Sequence, residues 1–306
     1  MPWTSADVPE QSGRVFVITG ANSGLGLEST RMIAKAGASV VMACRNAKKA
    51  EEAVGFVKST VPTAALEVMV LDLSSLASVE AFAKELAERH SAIDVLVNNA
   101  GVMALPYSKT ADGFEMQLGT NHLGHFALTS RLMPLLERSH APRVVTVGSQ
   151  VHRLGTINFD DLMGETSYSS WLAYCHAKLA NLLFTFELER RLRARGKKSI
   201  AVAAHPGYAS TNLLSVGSAP EGPSLTAMVT QLGNMLLAQS AEMGALPQVY
   251  AAVHPEVKGG QYIGPDGLLE MSGFPRVVDS SAKAKDEAVA AKLWEVSETL
   301  TRVRLE

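Results

Sequence analysis

Tyr174 and Lys178 stand four residues apart in the run YCHAK. On a helix their side chains share a face, with Cβ atoms about 5–6 Å apart. A free phenol has a pKa of about 10 and is a poor base at neutral pH. A nearby ammonium favours the phenolate. Bringing the pKa down to about 7 takes roughly 4 kcal/mol, so a second positive charge would have to help one lysine. YCHAK is therefore either an acid/base device or only a tyrosine and a lysine on one long helix, and its spacing alone does not decide.

A second chemical signal is TGANSGLG, residues 19–26, with Gly20, Asn22, Ser23, Gly24, Leu25 and Gly26 in a G-x-x-x-G-x-G spacing. Glycines between a strand and a helix allow a tight turn and let backbone N–H groups approach a pyrophosphate at the positive helix end. About 20 residues further on, a dinucleotide site that takes NAD needs an acidic residue for the ribose hydroxyls. Here the run ends ACRN, with Arg45 at that place and no Asp or Glu before Glu51. A guanidinium is always charged and bonds a phosphate bidentately. The expectation is NADP(H) in preference to NAD(H), with Arg45 and Asn46 on the 2′-phosphate.

The elements that must position these residues follow from hydrophobic period. Short apolar runs at 14–19, 39–44, 65–73, 93–100, 143–149 and 199–207 read as strands, and longer amphipathic runs separate them. Near-continuous apolar strands joined by helices indicate a parallel sheet covered on both faces. Right-handed crossovers then give an α/β doubly wound sheet in three α/β/α layers, the Rossmann arrangement. No linker interrupts the 306 residues, so one domain is expected over 1–306. Pro134 should bend or break the long helix through NHLGHFALTSRLMPLLERS. Residues 208–240 mix turn formers with Leu213, Leu214, Met228, Leu232, Met235, Leu236 and Leu237, which suits either a buried helical subdomain or an apolar substrate lid beside a strand end. A further helix, a short strand near GGQYIGP and a C-terminal helix near AVAAKLWEVSETLT complete the chain.

Composition narrows the function. The formal net charge of −2 gives no reason to expect nucleic acid or an anionic membrane as partner. Two cysteines, Cys44 and Cys175, form neither a disulfide framework nor a metal-ligand spacing, and a cytoplasmic setting is the default. The N-terminus carries no signal-peptide pattern, and no run approaches 18 apolar residues. His122 and His125 lie three apart without a third ligand, so no metal is expected. His152 and His176 flank the candidate site, and the sequence gives no test of whether His152 touches a substrate. The basic run ERRLRARGKK at 189–198 reads as a solvated helix end stopped by Gly196.

TGxxxGxG, NNAG at 98–101, a serine closing the fifth strand and YxxxK, in that order, resemble the short-chain dehydrogenase/reductase family over nearly the whole chain. RVVTVGSQVHRLG, YCHAKLANLLF and HPGYAST are most similar to its branch of retinol dehydrogenases, protochlorophyllide reductases and the WW-domain oxidoreductase. The resemblance implies a catalytic tetrad of Asn121, Ser149, Tyr174 and Lys178. Ser149 would bind the substrate oxygen and Tyr174 would exchange its proton. Lys178 would lower the tyrosine pKa and hold the nicotinamide ribose, and Asn121 would position a relay water. It also implies Asp72 and Leu73 near the adenine, Asn98, Ala100 and Gly101 at the adenosine ribose, and Pro206, Gly207 and Thr211 near the nicotinamide. The implied activity is hydride transfer between NADP(H) and the carbonyl or alcohol of a fairly apolar small molecule. The alternative is a non-catalytic NADP(H)-binding sensor or scaffold.

Ser149 and Tyr174 are separated by 24 residues, a longer gap than is usual in the family, and the extra TINFDDLMGETSYSS could shape the substrate mouth. The chain opens without the apolar anchor common among the retinol enzymes, which points away from a membrane-delivered substrate. The family often forms homo-oligomers through two long helices, here near 112–138 and 170–195.

Overall fold

The computed structural model describes residues 2–208 and 239–305. Eight strands form one sheet in the order β3-β2-β1-β4-β5-β6-β7-β8. They are β1 (Val15–Thr19), β2 (Ser39–Cys44), β3 (Ala65–Val70), β4 (Val95–Asn98), β5 (Arg143–Val147), β6 (Ile200–Ala204), β7 (Tyr262–Pro265) and β8 (Pro275–Val278). β1 through β7 pair in parallel, and β8 alone is antiparallel, against β7. The order reverses between β1 and β4, which opens a crevice at the carboxyl ends of those strands.

The helices are α1 (Gly24–Lys35), α2 (Ala47–Thr60), α3 (Leu76–Arg89), α4, α5 (Ser170–Ala194), α6 (Ala241–Val253) and α7 (Glu287–Thr301). α4 runs through three consecutive stretches, Met116–Leu118, a π-helical Gly119–Leu123 and Gly124–Leu136. Alternation along the strands builds the three layers. Phe16, Ile18, Val40 and Met42 pack with Met32, Ile33 and Val57 of α1 and α2 and Leu246 and Val249 of α6. Val17, Val41, Leu96 and Val144 pack on the opposite face with Phe82, Leu86, Leu128, Leu188 and Trp294. Both faces of the sheet are therefore dry, as near-continuous apolar strands require.

Three sequence expectations change. The third strand stops at Val70, so Asp72 and Leu73 lie in the loop beyond it. Pro134 neither breaks nor ends α4: it sits in the last turn, and the helix closes two residues later at Leu136. β8 had no sequence signal, because Pro275–Val278 is short, opens with proline and is an edge strand. Of the 208–240 region only Tyr208, Gln239 and Ser240 are described, so the lid expected there, with its leucines and methionines, lies outside the described residues, as does Thr211.

Candidate active site

The glycine run closes β1 and opens α1. Gly20 and Gly24 have φ of +67° and +52°, which glycine adopts without strain. A Cβ on Gly26 would stand 2.3 Å from the Gly20 carbonyl oxygen and 2.6 Å from Asn99 Nδ2, so α1 can meet β1 this closely only with glycine there. Ser23 is the N-cap of α1, yet its side chain accepts no capping hydrogen bond. The first N–H groups of α1, from Gly24, Leu25 and Gly26, are thus left for an outside acceptor, and a phosphate is the acceptor a helix start favours. Asn22 is partly exposed beside them. This cradle fits a dinucleotide pyrophosphate.

Arg45 follows β2 at the same edge. It is exposed and makes no ion pair among the described residues. Asn46 is already engaged: its Oδ1 accepts from Lys49 N at 3.0 Å and caps α2, leaving the amide Nδ2. Asp72 Oδ1 accepts from the Ser74 N–H and hydroxyl, at 2.9 and 2.6 Å, which fixes the loop after β3. Leu73 is buried against Gly124, where a Cβ would stand 2.4 Å from the Leu73 carbonyl oxygen.

In the NNAG segment the structure separates the residues that sequence grouped. The Asn98 side chain points inward: its Nδ2 donates to Thr129 Oγ1 of α4 at 2.9 Å, and its Oδ1 has no partner. Its implied place at the ribose is therefore not where its side chain lies. Ala100 and Gly101 do line the crevice, and a Cβ on Gly101 would sit 3.2 Å from Asn121 Oδ1 and 3.9 Å from Lys178 Nζ. Asn99, missing from the sequence-derived set, is the fastener: its Nδ2 donates to the Thr19 carbonyl at 2.7 Å, and its Oδ1 accepts from Gln248 of α6 at 3.2 Å.

Ser149, Tyr174 and Lys178 converge at the carboxyl ends of β5 and β6. Ser149 caps a one-and-a-half-turn 3₁₀ helix, Gln150–Leu154. Gly155 then lets this segment touch α5, where a Cβ would meet the Cys175 carbonyl oxygen at 2.5 Å. That contact brings Ser149 near Tyr174, close enough for its hydroxyl to act on the phenol's titration. His152 holds the turn from behind. Its Nδ1 donates to the Ser149 carbonyl at 2.7 Å and its Nε2 accepts from Ser281 N at 3.1 Å, so it is buried with both nitrogens used and does not face a substrate. His176 accepts from Thr156 N at 2.9 Å. The extra segment is tied to the loop before α4 through Tyr168, whose hydroxyl donates to the Leu105 carbonyl at 2.8 Å.

Lys178 is buried, with Nζ 5.7 Å from the Tyr174 ring centre and 2.9 Å from the Val147 carbonyl oxygen to which it donates. Burial lowers its pKa to about 8. Burial also pushes the Tyr174 phenol well above its ordinary value, helped by the Cys175 thiol and opposed by the nearby Ser149 hydroxyl. The lysine donates to Val147 rather than to the phenol, so in this geometry the expected lowering of the tyrosine pKa does not occur. Asn121, in the π-helical stretch, clamps Val102 with both side-chain atoms, accepting from its N–H and donating to its carbonyl at 2.8 Å each. Pro206 and Gly207 follow β6; Gly207 has φ +67° and packs against the Met271 carbonyl oxygen, which a Cβ would meet at 2.4 Å.

Among the described residues no group of three metal-ligating side chains occurs, and His122 instead bonds Ser297 of α7 at 2.9 Å. No helix among them is long and apolar enough to cross a membrane.

Comparison with known proteins identifies the family and the fold. Residues 14–221 match the short chain dehydrogenase family. Human retinol dehydrogenase 14 is 42% identical, over 94% of this chain and 86% of its own. Human retinol dehydrogenase 11 is 40% identical, over 93% and 85%. Among solved structures, an uncharacterized protein from Mycobacterium paratuberculosis is 44% identical and superposes with a TM-score of 0.83 over the whole of both chains. Pseudomonas aeruginosa RhlG, solved with NADP, shares the fold at a TM-score of 0.67 and 22% identity, over 85% of this chain and 98% of its own. The chain belongs to the short-chain dehydrogenase/reductase family, a family of nicotinamide-dependent oxidoreductases, and to its retinol dehydrogenase-like branch.

Proposed function

We propose that this protein is an NADP(H)-dependent oxidoreductase that interconverts the carbonyl and alcohol of a fairly apolar small molecule, with Tyr174 as the acid/base. The observation that carries this reading is the Ser149 hydroxyl close enough to the Tyr174 phenol to act on its titration, with the buried Lys178 ammonium 5.7 Å from the phenol ring and beside Gly101 in the crevice that the glycine turn borders. A bound nicotinamide would supply or accept the hydride. The Ser149 hydroxyl would orient the substrate oxygen. In reduction the neutral Tyr174 phenol gives that oxygen its proton, and the elevated pKa keeps the phenol protonated until the oxygen gains charge. Lys178, protonated below about pH 8, then stabilises the phenolate. Arg45 supports the preference for the 2′-phosphate because it is exposed, uncommitted and at the end of β2. The relatives named for retinol make retinol and its aldehyde the first substrates to try.

The test is a fluorescence titration of the purified protein with NADPH and NADH, followed by a panel of apolar aldehydes and ketones, for wild type and Tyr174→Phe. NADPH preference with turnover that falls at least about 100-fold in the variant is expected. Tight NADPH binding with no turnover on any carbonyl overturns the enzyme reading in favour of a sensor. Preference for NADH overturns the role given to Arg45.

A further inference from the structure

We propose that His125 is a positioning residue: its imidazole, held as the Nδ1–H tautomer, fastens the Asn121 carbonyl of the π-helical turn to the Thr19 hydroxyl at the floor of the dinucleotide crevice. Its consequence for turnover rests on the carbonyl-reductase reading above; the tautomer does not.

The assignment follows from counting protons. His125 is fully enclosed, with Nδ1 3.0 Å from the Asn121 carbonyl oxygen and Nε2 2.9 Å from Thr19 Oγ1. A carbonyl oxygen can only accept, so Nδ1 carries the hydrogen. In the neutral ring Nε2 is then bare and must accept, and Thr19 must donate to it. Thr19 has a single hydroxyl proton, and the 2.9 Å contact to Nε2 takes it in preference to the 3.3 Å contact to the Val97 carbonyl. The lone pairs of Thr19 Oγ1 are filled by the N–H groups of Asn99 and Ala100, both at 2.9 Å. Every bond therefore runs one way: from the two N–H groups to Thr19, from Thr19 to His125, and from His125 to Asn121. Burial is the main force keeping the ring neutral, and the nearby Lys178 charge adds to it.

Three elements are joined through this ring and the Thr19 hydroxyl it accepts from. Thr19 ends β1, Asn99 and Ala100 follow β4, and Asn121 sits where α4 is widened into a π turn. Such turns recur at functional sites. Here the Asn121 carbonyl, within the π turn, accepts from His125 while the Asn121 side chain, clamped to Val102, stands over Gly101 beside Lys178. The ring thus sets the position of the tetrad asparagine relative to Lys178 and to the loop that would lie under a bound dinucleotide. His122, one turn earlier, has no such link, since it faces Ser297 instead.

Two measurements test this. Nitrogen-15 NMR of histidine-labelled, cofactor-free protein at pH 7 should show His125, assigned by its loss in His125→Gln, with Nδ1 protonated and Nε2 bare. Free histidine favours the opposite tautomer, so an Nε2–H ring or an imidazolium overturns the proposal. Kinetics then separate positioning from packing. An asparagine amide reaches the place of Nδ1 and can still donate to the Asn121 carbonyl, whereas a glutamine amide reaches only the place of Nε2. We expect kcat for carbonyl reduction to fall about 10- to 100-fold in His125→Gln and less than about threefold in His125→Asn, with substrate KM within about threefold in both. Equal kcat in the two variants at equal folded fraction overturns the positioning role. A wild type that reduces no carbonyl would refute the proposed activity and leave the tautomer measurement to decide the ring assignment.

Discussion

Replacing Lys178 by methionine keeps the length of the side chain and removes its charge, and the effect on stability has a worked sign. Burial holds the Lys178 pKa at about 8 in the folded protein, against an ordinary 10.5. Below pH 8 the folded state therefore carries an ammonium it solvates poorly, at a cost of about 3 kcal/mol. Between pH 8 and 10.5 the unfolded chain holds a proton on this lysine that the folded chain does not, so wild-type stability gains as pH rises through that window. Above 10.5 the lysine is neutral in both states and the cost is gone. Methionine never bears it. The variant loses only the hydrogen bond to the Val147 carbonyl, 2.9 Å long and worth about 1–2 kcal/mol when its acceptor is left buried. Lys178→Met should thus be more stable than wild type by about 1–2 kcal/mol at pH 7 and less stable by a similar amount near pH 11. The swing of about 3 kcal/mol is the firmer quantity, because the lost hydrogen bond cancels from it. Urea unfolding of both proteins without cofactor, at intervals from pH 7 to 11, measures it. A stability difference that stays flat with pH, or moves in wild type's disfavour as pH rises, refutes the claim that this ammonium is poorly solvated. The same variant should have lost carbonyl reduction, so the site would be less stable with its working residue than without it.

Arg45→Ala should weaken NADPH binding about 10- to 100-fold and leave NADH binding within about threefold, read by fluorescence titration; equal losses for both would remove the 2′-phosphate role. Gly26→Ala places a methyl 2.3 Å from a backbone carbonyl oxygen, so urea unfolding should show a loss of about 1–3 kcal/mol, with NADPH affinity falling in the same protein. An alanine variant that is as stable and binds as tightly as wild type would mean that the close approach of α1 to β1 is not needed.

The parts of this molecule legible in the sequence were those written in local chemistry. The strands and the layers followed from the period of the apolar residues, because Phe16, Val17 and Ile18 must each find an apolar neighbour on one face or the other. Tyr174, Lys178 and the glycine run stood out because each is a local spacing, and it took their order with NNAG and Ser149, not YCHAK alone, to suggest a role. What escaped was set by tertiary choice. Asn98 and Asn99 are adjacent and identical in type, yet one turns inward to Thr129 and the other fastens β1 to α6. No local rule tells two neighbouring asparagines apart at the end of a strand. His125 was set aside as one of two histidines with no third ligand, because its partners, Thr19 and the Asn121 carbonyl, become neighbours only when β1 and the π turn meet.

The same reasoning bears on assembly. The helix pair through which the family often joins subunits, α4 and α5, is covered in this chain by α7. Trp294 lies 4.9 Å from Phe126 and stacks on Phe184 at 5.8 Å, with the Arg191 guanidinium 4.6 Å from its ring centre. An interface is stable when it buries more apolar surface than the separate partners already bury. Here Phe126, Phe184 and Trp294 are withdrawn from water within one chain. A second copy docking where α7 covers α4 and α5 would first have to displace Trp294, and burying a ring of this size contributes several kcal/mol. Any homo-oligomer of this protein is therefore expected to use a surface other than the part of this helix pair under Trp294.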